Sequence, residues 1–238
     1  MADLSVDRVD GIAIVRIERP PANALAPDLL AEGAELMEGL RADPPKAVVL
    51  TGSGGFFSGG VDLKLAPTLS IEEQRGMVGG INRLFCDWYG FPRPVVAAVN
   101  GHAVAGGLIL ALCADRRIGA RGATFGLTEV RVGAPYPKAA IGVVQAELAP
   151  ASARELVLRG ELIDGEKALE LGALDELLEP AAVEGRSLDV ARELAALPTA
   201  TYEIVKEQLR GEALAAMRER SESDPLASGW LSDETVSR

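Results

Sequence analysis

The chain predicts an α/β fold, and three observations carry that reading. An apolar strand that runs into a glycine-rich turn occurs twice, Ala47 to Thr51 before Gly52 to Asp62 and Pro92 to Val99 before Asn100 to Gly107, each on the way to a helix. Asp3 to Ile17 alternates as two short strands about Asp10-Gly11, a dipeptide that tight hairpins favour. Beyond Ala139 the pattern is mostly helical and ends in two amphipathic helices, Ala182 to Leu197 and Ala200 to Arg220, parted by Pro198.

The remaining elements follow in order. Arg19 to Leu25 is a loop, because Pro20 and Pro21 forbid regular pairing. Leu29, Leu30, Leu36 and Leu40 recur at near-helical spacing within Pro27 to Arg41. Ser70-Ile71-Glu72-Glu73 opens a helix to Tyr89 with a capping box. Small strands are expected within Arg116 to Gly126, helices over Ala139 to Leu148, Ala151 to Leu158 and Asp164 to Leu171, and a last strand over Ala173 to Leu178. Gly160 and Gly172 act as helix stops. The tail from Ser221 to Arg238 carries no assignable pattern.

With 238 residues, 48% of them hydrophobic and 25% charged, the chain can bury one large core. A net charge of -11 argues against nucleic acid or an anionic membrane as partner. There is no apolar run long enough to span a bilayer and no apolar core behind a basic leader, so no membrane segment or signal peptide is expected. Cys86 and Cys113 lie in apolar segments, which fits thiols in a reducing cytoplasm. His102 is the single histidine. It disfavours Ser-His-Asp and Cys-His hydrolases, and no metal-ligand spacing surrounds it; at a strand end it reads as a polar turn residue.

Chemistry concentrates in the glycine turns. The first is no P-loop, since no Gly-Lys-Ser/Thr closes it, and no nucleophile elbow, since Phe56 stands where that motif needs glycine. In the second, Gly106 and Gly107 precede an apolar helix. Glycine admits a ligand close to the main chain, and the free N–H groups of a helix's first turn can hold a developing oxyanion. A lone Gly-Gly pair is ordinary punctuation before a core helix; two such turns could each contribute one backbone donor to a common site. Glu129 lies between glycines in apolar sequence. Such a carboxylate is ordinarily exposed or paired, here with Arg131; facing a cavity, it would have a raised pKa suited to a general base.

Five motifs together, RPPANAL, LTGSGGFFSGGVDLK, PVVAAVNGHAVAGG, CADRRIGARGATFGLTE and LRGELIDGEKALELGALDEL, resemble the enoyl-CoA hydratase/isomerase (crotonase) family from Asp3 to Arg220. The resemblance implies a crotonase-like spiral of strand-strand-helix units over residues 1–195 and a C-terminal helical oligomerisation region over 196–238, assembling as homotrimers or dimers of trimers. It implies an acyl-CoA substrate, with coenzyme A arriving as part of it and no separate cofactor. The oxyanion donors fall at the Val61 and Gly106 N–H groups. Substrate and CoA contacts fall at Ala22, Ala24, Gly60, Asp62, Leu63, Gly107, Ile109 and Tyr136. Hydratases of the family use two glutamates; here those positions hold Ile109 and Glu129. One carboxylate suffices to move a proton between C2 and C4 of a dienolate, so the resemblance is to the Δ3,Δ2-enoyl-CoA isomerase branch, with Glu129 as acid/base. A hydratase aided by His102 or Tyr136, another thioester chemistry, and a non-catalytic acyl-CoA-binding subunit remain alternatives.

Overall fold

β1 (Leu4–Val9) and β2 (Ile12–Ile17) form the expected antiparallel hairpin. Asp10 and Gly11 between them both have positive φ, 57° and 81°, as a two-residue turn of this hand requires. In the computed structural model, which describes residues 3–62 and 68–230, α1 (Pro27–Ala42) follows a loop that contains both prolines. Three strand-strand-helix units come next. They are β3 (Ala47–Gly52), β4 (Phe56–Ser58) and α2 (Ile71–Tyr89); β5 (Val95–Val99), β6 (His102–Val104) and α3 (Gly106–Leu112); and β7 (Arg116–Ala120), β8 (Phe125–Gly126) and α4 (Glu129–Val132).

The first strand of each unit enters a large sheet and the second enters a small one. With β9 (Glu176–Leu178), the large sheet runs β1-β2-β3-β5-β7-β9, and the small one runs β4-β6-β8. From β2 onward the strands pair in parallel, with one isolated antiparallel bridge from Phe125 to Ile163. All residues of β3 and β5 are buried, which is why they read as unbroken apolar runs rather than as alternating strands. The chain therefore climbs as a spiral whose successive turns stack equivalent segments on one another.

Three short elements depart from the sequence reading. β4 and β6 lie inside stretches expected to be only glycine turns, and α4 is a single helical turn that no periodicity announced. Three- and four-residue elements are too short to show a period. What holds β4 to β6 is backbone pairing between neighbouring turns of the spiral, Phe56 with His102 and Ser58 with Ala103.

The helical half follows the pattern closely: α5 (Lys138–Glu147), α6 (Pro150–Arg159), α7 (Gly165–Glu170), α8 (Pro180–Ala195) and α9 (Thr199–Glu222). Gly160 and Gly172 end α6 and α7 at φ 60° and 74°, the left-handed conformation that stops a helix cheaply only at glycine. The capping box at Ser70 is present: Glu73 N–H donates to the Ser70 hydroxyl and Ser70 N–H to the Glu73 carboxylate. The tail forms a 3-10 turn over Pro225–Ser228. Asp224 fastens it by accepting from Asn82 Nδ2 (3.0 Å) and from Lys138 N–H (2.8 Å).

α9 packs on α2 and α5 and carries two buried cations to the core. Lys206 meets Asp115 at 2.7 Å, and Arg210 meets Asp115 at 3.2 Å and Glu147 at 3.1 Å. Arg210 also donates to the Cys113 and Ala114 carbonyls and lies over the Tyr89 ring. Cys86 and Cys113 are free and buried, and burial pushes both thiols up, Cys86 to about 11. Among the described residues no helix is long and apolar enough to cross a membrane, and no three His, Cys, Asp or Glu side chains form a metal-binding group.

Candidate active site

The glycines are needed where two turns of the spiral touch. A Cβ on Gly107 would lie 2.0 Å from the Ser58 carbonyl oxygen, and one on Gly60 would lie 2.8 Å from Gly106 N. Gly60 also has φ 77°. Only glycine at these positions lets the turn after β4 lie against the turn after β6, backbone to backbone. Asn100 and Asn23 staple the assembly. Asn100 accepts from Gly52 N–H and donates to the Gly54 carbonyl, while buried Asn23 donates to the Ser53 and Phe56 carbonyls.

This contact brings Val61 and Gly106 to one place. Val61 forms a parallel bridge with Leu25, in which Leu25 N–H bonds the Gly60 carbonyl and Asp62 N–H bonds the Leu25 carbonyl. In a parallel bridge the central residue's own N–H faces the other way, so that of Val61 faces away from Leu25. Gly106 is the first residue of α3, and its N–H is one of those a helix leaves unpaired. The preceding residue, Ala105, sits at φ 53°, ψ −128°, a strained backbone for a residue with a Cβ.

Both residues line a cavity of about 570 Å³ that includes its open mouth. Ile81, Phe85, Ile109 and Ala140 give it an apolar wall, and Glu129 is the one charged residue lining it among the described residues. Glu129 is supplied by the third unit, at the start of α4 just past β8. The three polar components thus leave the same end of three neighbouring parallel strands, β4, β6 and β8. Ligands gather at such carboxyl ends in open parallel sheets.

Glu129 has no ion pair among the described residues; Arg131, its neighbour on α4, pairs with Glu161 instead. Burial in the apolar cavity pushes the Glu129 carboxyl up to about 7, against the opposing pull of its own backbone N–H and the Tyr136 hydroxyl. Tyr136 donates to Glu129 Oε2 at 2.8 Å. A carboxyl group that titrates near neutrality can both take and return a proton. Backbone N–H groups such as those of Val61 and Gly106, when directed at a ligand, can stabilise charge developing on a carbonyl oxygen. The arrangement is equipped to remove a proton next to a carbonyl.

Of the residues singled out from sequence, Val61, Gly106, Ile109, Glu129 and Tyr136 all line this cavity. Ala22, Ala24, Gly60, Asp62 and Gly107 do not. Ala22 accepts from Gly59 N–H, so residues 22–25 run beside 59–62 as a strip adjoining Val61. Gly107 serves packing against Ser58, and Leu63 lies outside the described residues. His102 is directed elsewhere: its Nδ1 accepts from Thr124 N–H and its ring meets Phe56, so it has no place in the cavity. Trp230, which had no sequence signal, does. Its indole N–H donates to the Pro135 carbonyl at 2.7 Å and its ring lines the cavity. The unpatterned tail gave no reason to send a tryptophan there.

A spiral of parallel strand-strand-helix units with a site at the strand ends defines an α/β protein of the crotonase fold. The sequence profile described as enoyl-CoA hydratase/isomerase matches residues 7–225, and the chain belongs to that family. It is 35% identical over 219 residues to a probable enoyl-CoA hydratase of Mycolicibacterium paratuberculosis, covering 88% of this chain and 85% of that one. Solved structures of a Mycobacterium tuberculosis protein, described once as a probable enoyl-CoA hydratase and once as an enoyl-CoA isomerase, are 31% identical with TM-scores of 0.88 and 0.87. They cover 93% of this chain, and 94% and 97% of theirs. Human mitochondrial Δ3,Δ2-enoyl-CoA isomerase shares the fold, with TM-score 0.91 at 23% identity over 98% of this chain and 93% of its own.

Proposed function

We propose that this protein is an enoyl-CoA isomerase that converts 3-enoyl to 2-enoyl thioesters. The observation that carries the reading is a single carboxylate. Glu129 stands alone in an apolar cavity, and Ile109, on the helix that Gly106 opens, contributes a buried hydrocarbon wall where a second acid/base would be needed for water. Glu129 takes a proton from C2 and returns it to C4. The electrons released from the C2–H bond move into a dienolate, whose oxygen charge the Val61 and Gly106 N–H groups stabilise. One such donor is worth about 10²- to 10³-fold in rate. An apolar wall suits this path, because water near the dienolate would compete as proton donor.

The strip formed by Ala22, Ala24, Gly60 and Asp62 is the surface on which we place the pantetheine and nucleotide of the substrate. Exposed Ile204, Val205 and Leu209 on α9, 59%, 53% and 80% exposed, support association of copies through the C-terminal region, as homotrimers or dimers of trimers. A cytoplasmic location accords with the buried free thiols.

The second reading is an enoyl-CoA hydratase, favoured by the names of several relatives. Matched 3-enoyl-CoA and 2-enoyl-CoA substrates separate the two. The isomerase reading expects the conjugated thioester from the first and little hydration of the second. Hydration of 2-enoyl-CoA alone would overturn it, and binding without turnover of either would point to an acyl-CoA-binding subunit.

A further inference from the structure

The Glu129 carboxylate has two oxygens, and the structure treats them differently. α4 is one turn long; Gly133, in the left-handed conformation at φ 69°, reverses the chain and returns Tyr136 to the carboxylate seven residues later. An ionised carboxylate only accepts, so the hydroxyl is the donor. Its alternative acceptor, the Leu127 carbonyl, is 3.4 Å away against 2.8 Å for Oε2, and the shorter bond is also the charge-assisted one.

We propose that Tyr136 is a positioning residue that commits Oε2 of Glu129 to a hydrogen bond and leaves Oε1 as the atom that accepts and returns the proton. This rests on the reading of Glu129 as the acid/base. Torsion about the last bond of a glutamate side chain is broad; the carboxylate's own backbone N–H is one hydrogen-bond partner, and the apolar walls do not fix the freedom that remains. The Tyr136 bond does, holding Oε1 at one orientation through both transfers. The balance is simple. A C–H bond breaks and Oε1–H forms, then Oε1–H breaks and a C–H bond forms, with no net change at Glu129 and the tyrosine proton never leaving its oxygen. Burial and the adjacent carboxylate both push the Tyr136 hydroxyl well above the usual tyrosine range, so it remains a donor at every working pH. Because the bond favours the ionised carboxylate, it also makes protonated Glu129 a better acid for the return step. Tyr136 is the other titratable side chain lining the cavity among the described residues. Arg131, on the same helical turn, is engaged with Glu161 and with the Arg159 carbonyl.

The test is Tyr136→Phe, which keeps the ring and removes the donor. On the enoyl-CoA that the wild type turns over, the acidic limb of the kcat/KM profile should move up by about one pH unit. At high pH kcat should fall about tenfold with KM little changed. An unmoved limb with wild-type kcat, in a background where Glu129→Gln is inactive, overturns the positioning role and leaves the Glu129 reading standing. A raised KM with an unmoved limb overturns it too, by showing that the hydroxyl meets substrate. If Glu129→Gln itself keeps full activity, the acid/base reading fails first.

Discussion

Beneath α9, Asp115 and Glu147 are each met by cations, with Lys206 and Arg210 within 3.2 Å; in the cavity, Glu129 is met by a neutral tyrosine and hydrocarbon. Both places hold carboxylates away from water, and the difference lies in what surrounds them. Pairing in the first fastens the C-terminal helix to β7 and α5. In the second, burial with no counter-charge to offset it pushes Glu129 up to about 7, into the range where a proton can go both ways. One region spends sequence on satisfying charge, and the other leaves a carboxylate without a counter-charge, as the proposed proton transfer requires. Ala105 belongs to the second region as well, held at positive φ beside Gly106.

The comparison can be broken most decisively at Glu129. Glu129→Gln should lower kcat/KM by about 10²- to 10⁴-fold, read by following formation of the conjugated thioester, with binding of a saturated acyl-CoA retained. Arg210→Ala should act in the opposite sense. It leaves Asp115 and Glu147 short of a partner and should cost about 3–5 kcal/mol in urea unfolding, with activity per folded molecule little changed. Ile109→Glu would place a second unpaired carboxylate in the cavity. It should destabilise by about 2–3 kcal/mol and, if the missing acid is what excludes hydration, add detectable hydration of a 2-enoyl thioester.

A smaller effect tests the sign of the linkage. Because the Glu129 carboxyl is raised in the folded protein, the folded state holds its proton more tightly than the unfolded chain. That contribution is fully present below the ordinary value of 4.5 and is lost as pH rises through about 7. Glu129→Gln should therefore unfold at higher urea than wild type at pH 8, by on the order of 3 kcal/mol, with the gap closing toward pH 4.5. The smallest effect concerns the backbone. Ala105→Gly relieves a strained conformation and should stabilise by about 1 kcal/mol, seen as a small rise in Tm; a fall in rate alongside it would show that Ala105 helps fix the direction of the Gly106 N–H.

Where the sequence reading succeeded, the signal was local. Asp10-Gly11, the Ser70 capping box and the glycine stops at 160 and 172 each depend on a few adjacent residues, and each is in place. Buried parallel strands were visible because both faces are apolar. β4, β6 and α4 were not, since elements this short owe their form to a neighbouring turn of the spiral. Gly60 and Gly107 could be read as unusual, yet the reason for them, a carbonyl or amide of a neighbouring turn lying where a Cβ would be, exists only once the turns are stacked.

By itself, then, the amino-acid order determined the class of fold, the family's motifs and the presence of one candidate carboxylate without a second. The tertiary structure decided that His102 faces away from the cavity, that Trp230 reaches it from an unpatterned tail, and that Tyr136 takes one oxygen of Glu129. Each of these depends on which segments distant in sequence meet. Local propensity carries no information about that; packing of the spiral does.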